Sequence, residues 1–112
     1  MKNKVQDSME SKAVRRLKRK LTVETLWIYV AKALMNREPL KGYDIVKILR
    51  NDMGIKASTI TIYSVVYRMA REGLLETVKS GGETLYRLSQ RGREEFEEAV
   101  KFLESVIAVL RS

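Results

Sequence analysis

The sequence predicts a mainly α-helical fold carrying one small β-hairpin. Three observations point there: apolar residues recur at helical spacing in several stretches, a Gly-Gly pair joins two short β-like runs, and a single Pro stands among 112 residues, 32% of them charged. One compact domain plus an appendage is the expectation, because a second core at this length would have too little to bury.

The elements follow in chain order. Residues 1–20 are polar and end in the cluster Arg15, Arg16, Lys18, Arg19 and Lys20. Two readings stand for them: a flexible arm, or a basic helix, since Val14, Leu17 and Leu21 recur at helical spacing. Thr22 is read as the N-cap of a helix with Val23, Leu26, Trp27, Val30 and Leu34 on one face, ended by Pro39. Gly42 precedes a second helix, Tyr43 to about Met53, whose apolar side is Ile45, Val46, Ile48 and Leu49; Gly54 closes it as a left-handed cap would.

Ser58 is a good N-cap for a third helix that runs to Glu72 and stops at Gly73. The β-like runs are Leu74 to Lys79 and Glu83 to Leu88, joined through Ser80, Gly81 and Gly82; Gly-Gly supplies the positive φ angles of a tight hairpin. Ser89 then caps a last helix reaching almost to the C-terminus. Helix, helix, helix, hairpin, helix is the winged helix-turn-helix layout, with a plain helical bundle carrying an incidental hairpin as the alternative. The expected organisation is a basic arm or helical extension over 1–21, a winged helix-turn-helix over 22–93, and the C-terminal part of a dimerisation helix over 94–112.

Cysteine and histidine are both absent. Disulfides, thiol nucleophiles, thiolate and imidazole metal sites and the commonest general acid/base are thereby removed, so the chain is read as no enzyme, with no cofactor and no metal. Glu94 and Glu95 lie in an acidic helical run without a Gly-rich ligand loop, which is solvated helix surface. The longest apolar run, Leu26 to Met35, is broken by Lys32 and is too short for a bilayer; no small-residue cleavage site follows it, so a cytoplasmic protein is expected.

The net charge of +8 is unevenly placed. Residues 1–20 carry eight Lys/Arg against Asp7 and Glu10, residues 41–93 carry ten against five acids, and residues 94–112 carry two against five glutamates. A basic arm and middle followed by an acidic tail suggest that the first two face the phosphates of a DNA duplex and the tail faces elsewhere. Solubility alone is the competing explanation of the charge.

At 100° per residue, the third helix puts Ile62, Val65, Val66, Met69 and Ala70 on one side and Thr61, Ser64, Arg68 and Arg71 on the other. The second stripe is read as the DNA-contacting face, with Ser58, Thr59, Thr61 and Ser64 as near contacts and Arg68 as the strongest charged one. Tyr63, on the flank, either donates its hydroxyl to a phosphate or packs against the second helix. Lys79 and Arg87 flank the hairpin tip, Lys41 and Tyr43 begin the second helix, and Arg15, Arg16 and Arg19 lie in the arm; all are candidate backbone contacts. A half-buried core ring is the other reading of Tyr43.

In the last helix Phe96, Val100, Leu103, Ile107 and Leu110 form a heptad seam, with Ala99, Phe102, Val106 and Val109 beside it. So wide an apolar face predicts a two-fold partner, which also uses the first helix through Trp27 and Tyr29. The alternative is one long helix wrapping a single core.

Three stretches resemble the PadR family of transcriptional regulators: Pro39-Leu40-Lys41-Gly42-Tyr43-Asp44-Ile45, Thr61-Ile62-Tyr63 with Gly73-Leu74-Leu75, and Tyr86-Arg87-Leu88-Ser89 with Gly92-Arg93. The spacings agree from about Leu26 to Glu98, while Ser64 stands where the family usually has Pro, the basic segment is long and the wing short. The resemblance implies a dimeric regulator of double-stranded DNA, often a repressor, whose last helix supplies much of the homodimer contact; some members respond to small aromatic effectors. A winged-helix protein-interaction module and a non-specific nucleic-acid binder driven by the arm are the competing functions.

Overall fold

The structure, a computed structural model, describes residues 10–112; the first nine residues of the expected arm lie outside them. Helix α1 spans Lys12–Lys20, opened by Ser11, whose hydroxyl accepts from the Val14 amide at 3.2 Å. Of the two readings for this segment, the helix holds over these residues. Its whole surface is exposed, including Val14, Leu17 and Leu21.

Thr22 is not the cap expected of it. Its hydroxyl instead donates to the Lys18 carbonyl at 2.7 Å, satisfying an open acceptor at the end of α1. A single 3₁₀ turn, Val23–Thr25, follows, and helix α2 spans Leu26–Arg37. Tyr29 of α2 donates to the Leu21 carbonyl, tying the two helices end to side.

Strand β1 (Leu40–Lys41) leads into helix α3 (Gly42–Lys47), which continues through a π-helical turn, Ile48–Asp52. Helix α4 spans Thr59–Arg71, strands β2 and β3 span Leu75–Ser80 and Glu83–Leu88, and helix α5 spans Gln90–Arg111. Gly81 and Gly82, at φ +58° and +83°, make the two-residue turn between the strands, as their sequence predicts.

The hairpin is not incidental to a bundle. β1 adds an antiparallel third strand, in the order β1-β3-β2, with Leu40 opposite Tyr86 and Lys41 opposite Leu85. Leu40, Leu75, Tyr86 and Leu88 alternate onto one sheet face and join the core made by α2, α3 and α4. At its centre Val30, Leu34, Ile45, Leu49, Ile62, Val66 and Met69 are fully buried, each contributing about 1.5–3 kcal/mol of burial.

Where the sheet meets α5, three chain segments lock together. The Ser89 amide donates to the Leu74 carbonyl at 3.0 Å, and the Ser89 hydroxyl donates to the Gly73 carbonyl at 2.7 Å while accepting from the Gly92 amide at 3.0 Å. Nearby, Glu38 accepts from the Leu88 amide at 2.8 Å with one carboxylate oxygen and pairs with Arg93 through the other. α5 then leaves the body. From Lys101 onward every residue is exposed, which overturns the alternative of a long helix wrapping one core.

A β-carbon at position 92 would collide with the Leu74 carbonyl oxygen and stand 2.7 Å from Leu88 Cδ1. Gly92→Ala is therefore expected to lower the unfolding free energy by about 1–3 kcal/mol, read from the midpoint of a urea titration. An unchanged midpoint would mean that the α5 junction is loose.

Candidate nucleic-acid interface

The side chains of α4 divide cleanly. Ile62, Val65, Val66 and Met69 are buried, and Thr61, Ser64, Arg68 and Arg71 are exposed, on the stripe expected of them. The outward face also carries two residues the sequence reading did not place there, Ile60 at 78% exposure and Tyr67 at 50%. The helical wheel could have found both, since at 100° per residue they fall within about 60° of Ser64. Sequence reading puts Tyr67 on the flank of the core stripe and assigns Ile60 to neither side.

The first turn of α4 is internally bonded. Ser58 accepts from the Thr61 amide at 3.1 Å as N-cap, and its hydroxyl donates to Thr61 Oγ1 at 2.9 Å. Thr59 Oγ1 accepts from Arg50 Nη1 at 3.0 Å, so the π-helical turn of α3 reaches across to hold the start of α4.

Tyr63 packs on the second helix of the motif. A β-carbon at Gly42 would lie 2.5 Å from Tyr63 Cε1, so the bare glycine backbone is what gives the ring its seat. Tyr63 in turn stacks on Tyr67, with ring centroids 5.9 Å apart and planes at 15°. Behind them burial, and after it the Tyr67 and Tyr63 hydroxyls, pushes the Tyr86 phenol above its ordinary range.

Tyr43 is not the half-buried core ring that one reading made it. It is 59% exposed, with Lys47 Nζ 5.1 Å from its ring centroid. Arg87 does not flank the hairpin tip as expected, since the register sets it opposite Glu76 near the hairpin base, where the two pair at 3.3 Å; Lys41 pairs with Glu83 at 3.4 Å and Lys79 donates to Thr84 at 2.7 Å. The two ion pairs are solvent-exposed and hold their charge loosely.

In α1, Arg15 donates to the Glu10 carbonyl at 2.7 Å, Arg19 lies 3.6 Å from Glu24, and Arg16 is exposed. Glu24 is held below the usual carboxylate range, first by its hydrogen bond from Lys20. Arg15, Lys18 and Arg19 line a cleft of about 480 Å³ together with Lys56, on the turn that leads into α4. Sequence reading left Lys56 aside, because only the fold brings α1 beside that turn.

Of the predicted dimer residues, Trp27 and Phe96 pack part-buried against their own core and Val100 is half-buried, whereas Leu103, Ile107 and Leu110 are exposed. Trp27 also lines a cleft of about 270 Å³ with Arg68, Met69, Glu72, Leu74 and Glu95. No helix among the described residues is long and apolar enough to cross a membrane.

A helix-turn-helix backed by a three-stranded sheet, with a polar stripe facing outward, defines the winged-helix class. Residues 32–98, more than half of the chain, match the Transcriptional regulator PadR-like family, and the chain belongs to that family. No curated protein matches it. Among solved structures it is similar to a PadR family transcriptional regulator from Eggerthella lenta DSM 2243, at 28% identity and TM-score 0.68, covering 96% of this chain and 94% of that one. A transcriptional regulator from Clostridium thermocellum aligns at 19% identity and TM-score 0.69 over 91% and 95% of the two chains. Bacillus subtilis PadR, solved in complex with operator DNA, aligns at 23% identity and TM-score 0.57 over 67% of this chain and 46% of that one.

The cap geometry separates structural from surface hydroxyls on α4. Ser58→Ala should lower stability by about 1 kcal/mol in chemical denaturation, whereas Ser64→Ala, exposed on the stripe, should stay within about 0.5 kcal/mol of wild type. Equal losses would contradict the capping role.

Proposed function

We propose that this chain is a sequence-specific double-stranded DNA-binding regulator that acts as a homodimer and represses by occupying an operator. The observation that carries this reading is the division of α4, which buries Ile62, Val65, Val66 and Met69 and turns Thr61, Ser64, Arg68 and Arg71 to solvent. Such a helix enters a major groove mostly by its N-terminal half, and a forked Arg68 suits the O6 and N7 acceptors of guanine. The fold shared with an operator-bound PadR and the family's regulatory description support the same conclusion.

The wing and α1 supply position rather than sequence. Lys41, Lys79 and Arg87 on the sheet, Tyr43 on α3, and Arg15, Arg16 and Arg19 on α1 with Lys56 on the turn before α4 offer groups suited to phosphates. The small aromatic effector implied by the family resemblance would have its natural lining in the cleft between Trp27 and Arg68, where it would bear on the reading face.

Pairing is supported by α5. Phe102, Leu103, Val106, Ile107, Val109 and Leu110 are all exposed on a helix that projects from the body. A second copy would cover them and set two α4 helices against half-sites roughly 34 Å apart.

Titration of a short duplex across salt concentrations tests the leading claim: log K should fall by about 0.9 for each phosphate contact per log unit of salt. Arg68→Ala should flatten the preference among sites, whereas Ala at Arg15, Arg16 and Arg19 together should weaken all sites alike. A flat or undetectable response at low salt favours the protein-interaction module instead. Ile107→Glu with Leu110→Glu should yield a monomer in sedimentation equilibrium and cost at least tenfold in operator affinity; a doubly substituted protein that still sediments as a dimer would remove α5 from the interface.

A further inference from the structure

Within the winged-helix body, the exposed large apolar side chains among the described residues are Tyr43, Ile60 and Tyr67. All three stand on the helix-turn-helix. The two tyrosines keep a hydroxyl for water, but Ile60 has nothing to offer it, and at 78% it is the most exposed large hydrophobic among the described residues. Neither capping nor core packing accounts for an isoleucine there, and β-branched residues are only middling helix formers.

The surroundings of Ile60 sharpen its position. The three hydroxyls of the same turn are already engaged, Ser58 with Thr61 and Thr59 with Arg50. Ile60 is thus the unencumbered side chain of the first turn, the part of a reading helix that goes deepest into a major groove. Ser64, Tyr67 and Arg71 follow it on the same outward face. In that groove an aliphatic branch is complementary to one base feature, the C5-methyl group of thymine.

We propose that Ile60 reads a thymine methyl in each half-site and is a specificity-determining residue. The inference rests on the DNA-binding reading above and adds to it an apolar contact on a face otherwise argued from hydroxyls and cations.

The test uses a duplex selected by the full-length protein from random DNA, with each thymine replaced singly by deoxyuridine, which removes only the methyl group. At one thymine per half-site, uridine should weaken wild-type binding about fourfold, the value of one buried methyl. Ile60→Ala should bind the thymine and uridine forms of that position equally while keeping the wild-type response to changes elsewhere. The base replacement leaves the protein untouched, so the wild-type result does not depend on how a variant folds. Wild-type binding that is blind to uridine at every thymine, a selected site with no preferred thymine, or an Ile60→Ala protein as sensitive as wild type would overturn the inference alone. Absence of any duplex binding at low salt would overturn the DNA-binding reading and the inference together.

Discussion

One missing methyl group, at Gly92, is the constraint on which the arrangement of this molecule turns. The Leu74 carbonyl sits where a side chain at 92 would be, and it accepts from the Ser89 amide. Through that contact the end of α4, the base of the sheet and the start of α5 converge, and the Glu38–Arg93 pair adds the end of α2. A polar cluster of this kind stabilises only if its members are satisfied, and no buried side-chain nitrogen or oxygen among the described residues lacks a partner. The direction in which α5 leaves the body is therefore fixed in its first half, by hydrogen bonds at its first turn and by Phe96 against the core, with no packing from Lys101 onward.

A second close approach orients α4. Tyr63 on bare Gly42 lets α3 and α4 meet without a spacer, and its stack with Tyr67 carries the contact outward to the surface. The same helix divides its polar residues between two tasks. Ser58, Thr59 and Thr61 spend their hydroxyls largely on holding the helix start, while Ser64, Arg68 and Arg71 are exposed further along it.

Much of this was legible in the residues. Long helices with strong periodicity, the Gly81-Gly82 turn and the caps at Ser58 and Ser89 declare themselves locally, because each is a short-range requirement of backbone geometry. Strand β1 was not legible: two residues are too few to alternate, and their partner strand lies beyond α4. Thr22 misled because a threonine before an apolar run can cap forward or bond backward, and only the end of α1 decides between them. Gly92 and Arg93 were visible as a motif, but their purpose depends on Leu74 and Glu38, which are remote in sequence. Ile60 was left unassigned and Tyr67 was placed on the flank of the core stripe, although both fall within about 60° of Ser64 on the exposed side of the helix.

The projecting half of α5 carries a consequence for quantity as well as for shape. Val109 and Leu110 are more than 70% exposed in the single chain, so most of the reason for that helix to stay ordered would come from a partner. In the homodimer proposed here, the species that fits a two-part operator forms in proportion to the square of the free chain's concentration. Small changes in abundance would then be sharpened into larger changes in occupancy, and the chain would act as a gauge of its own supply.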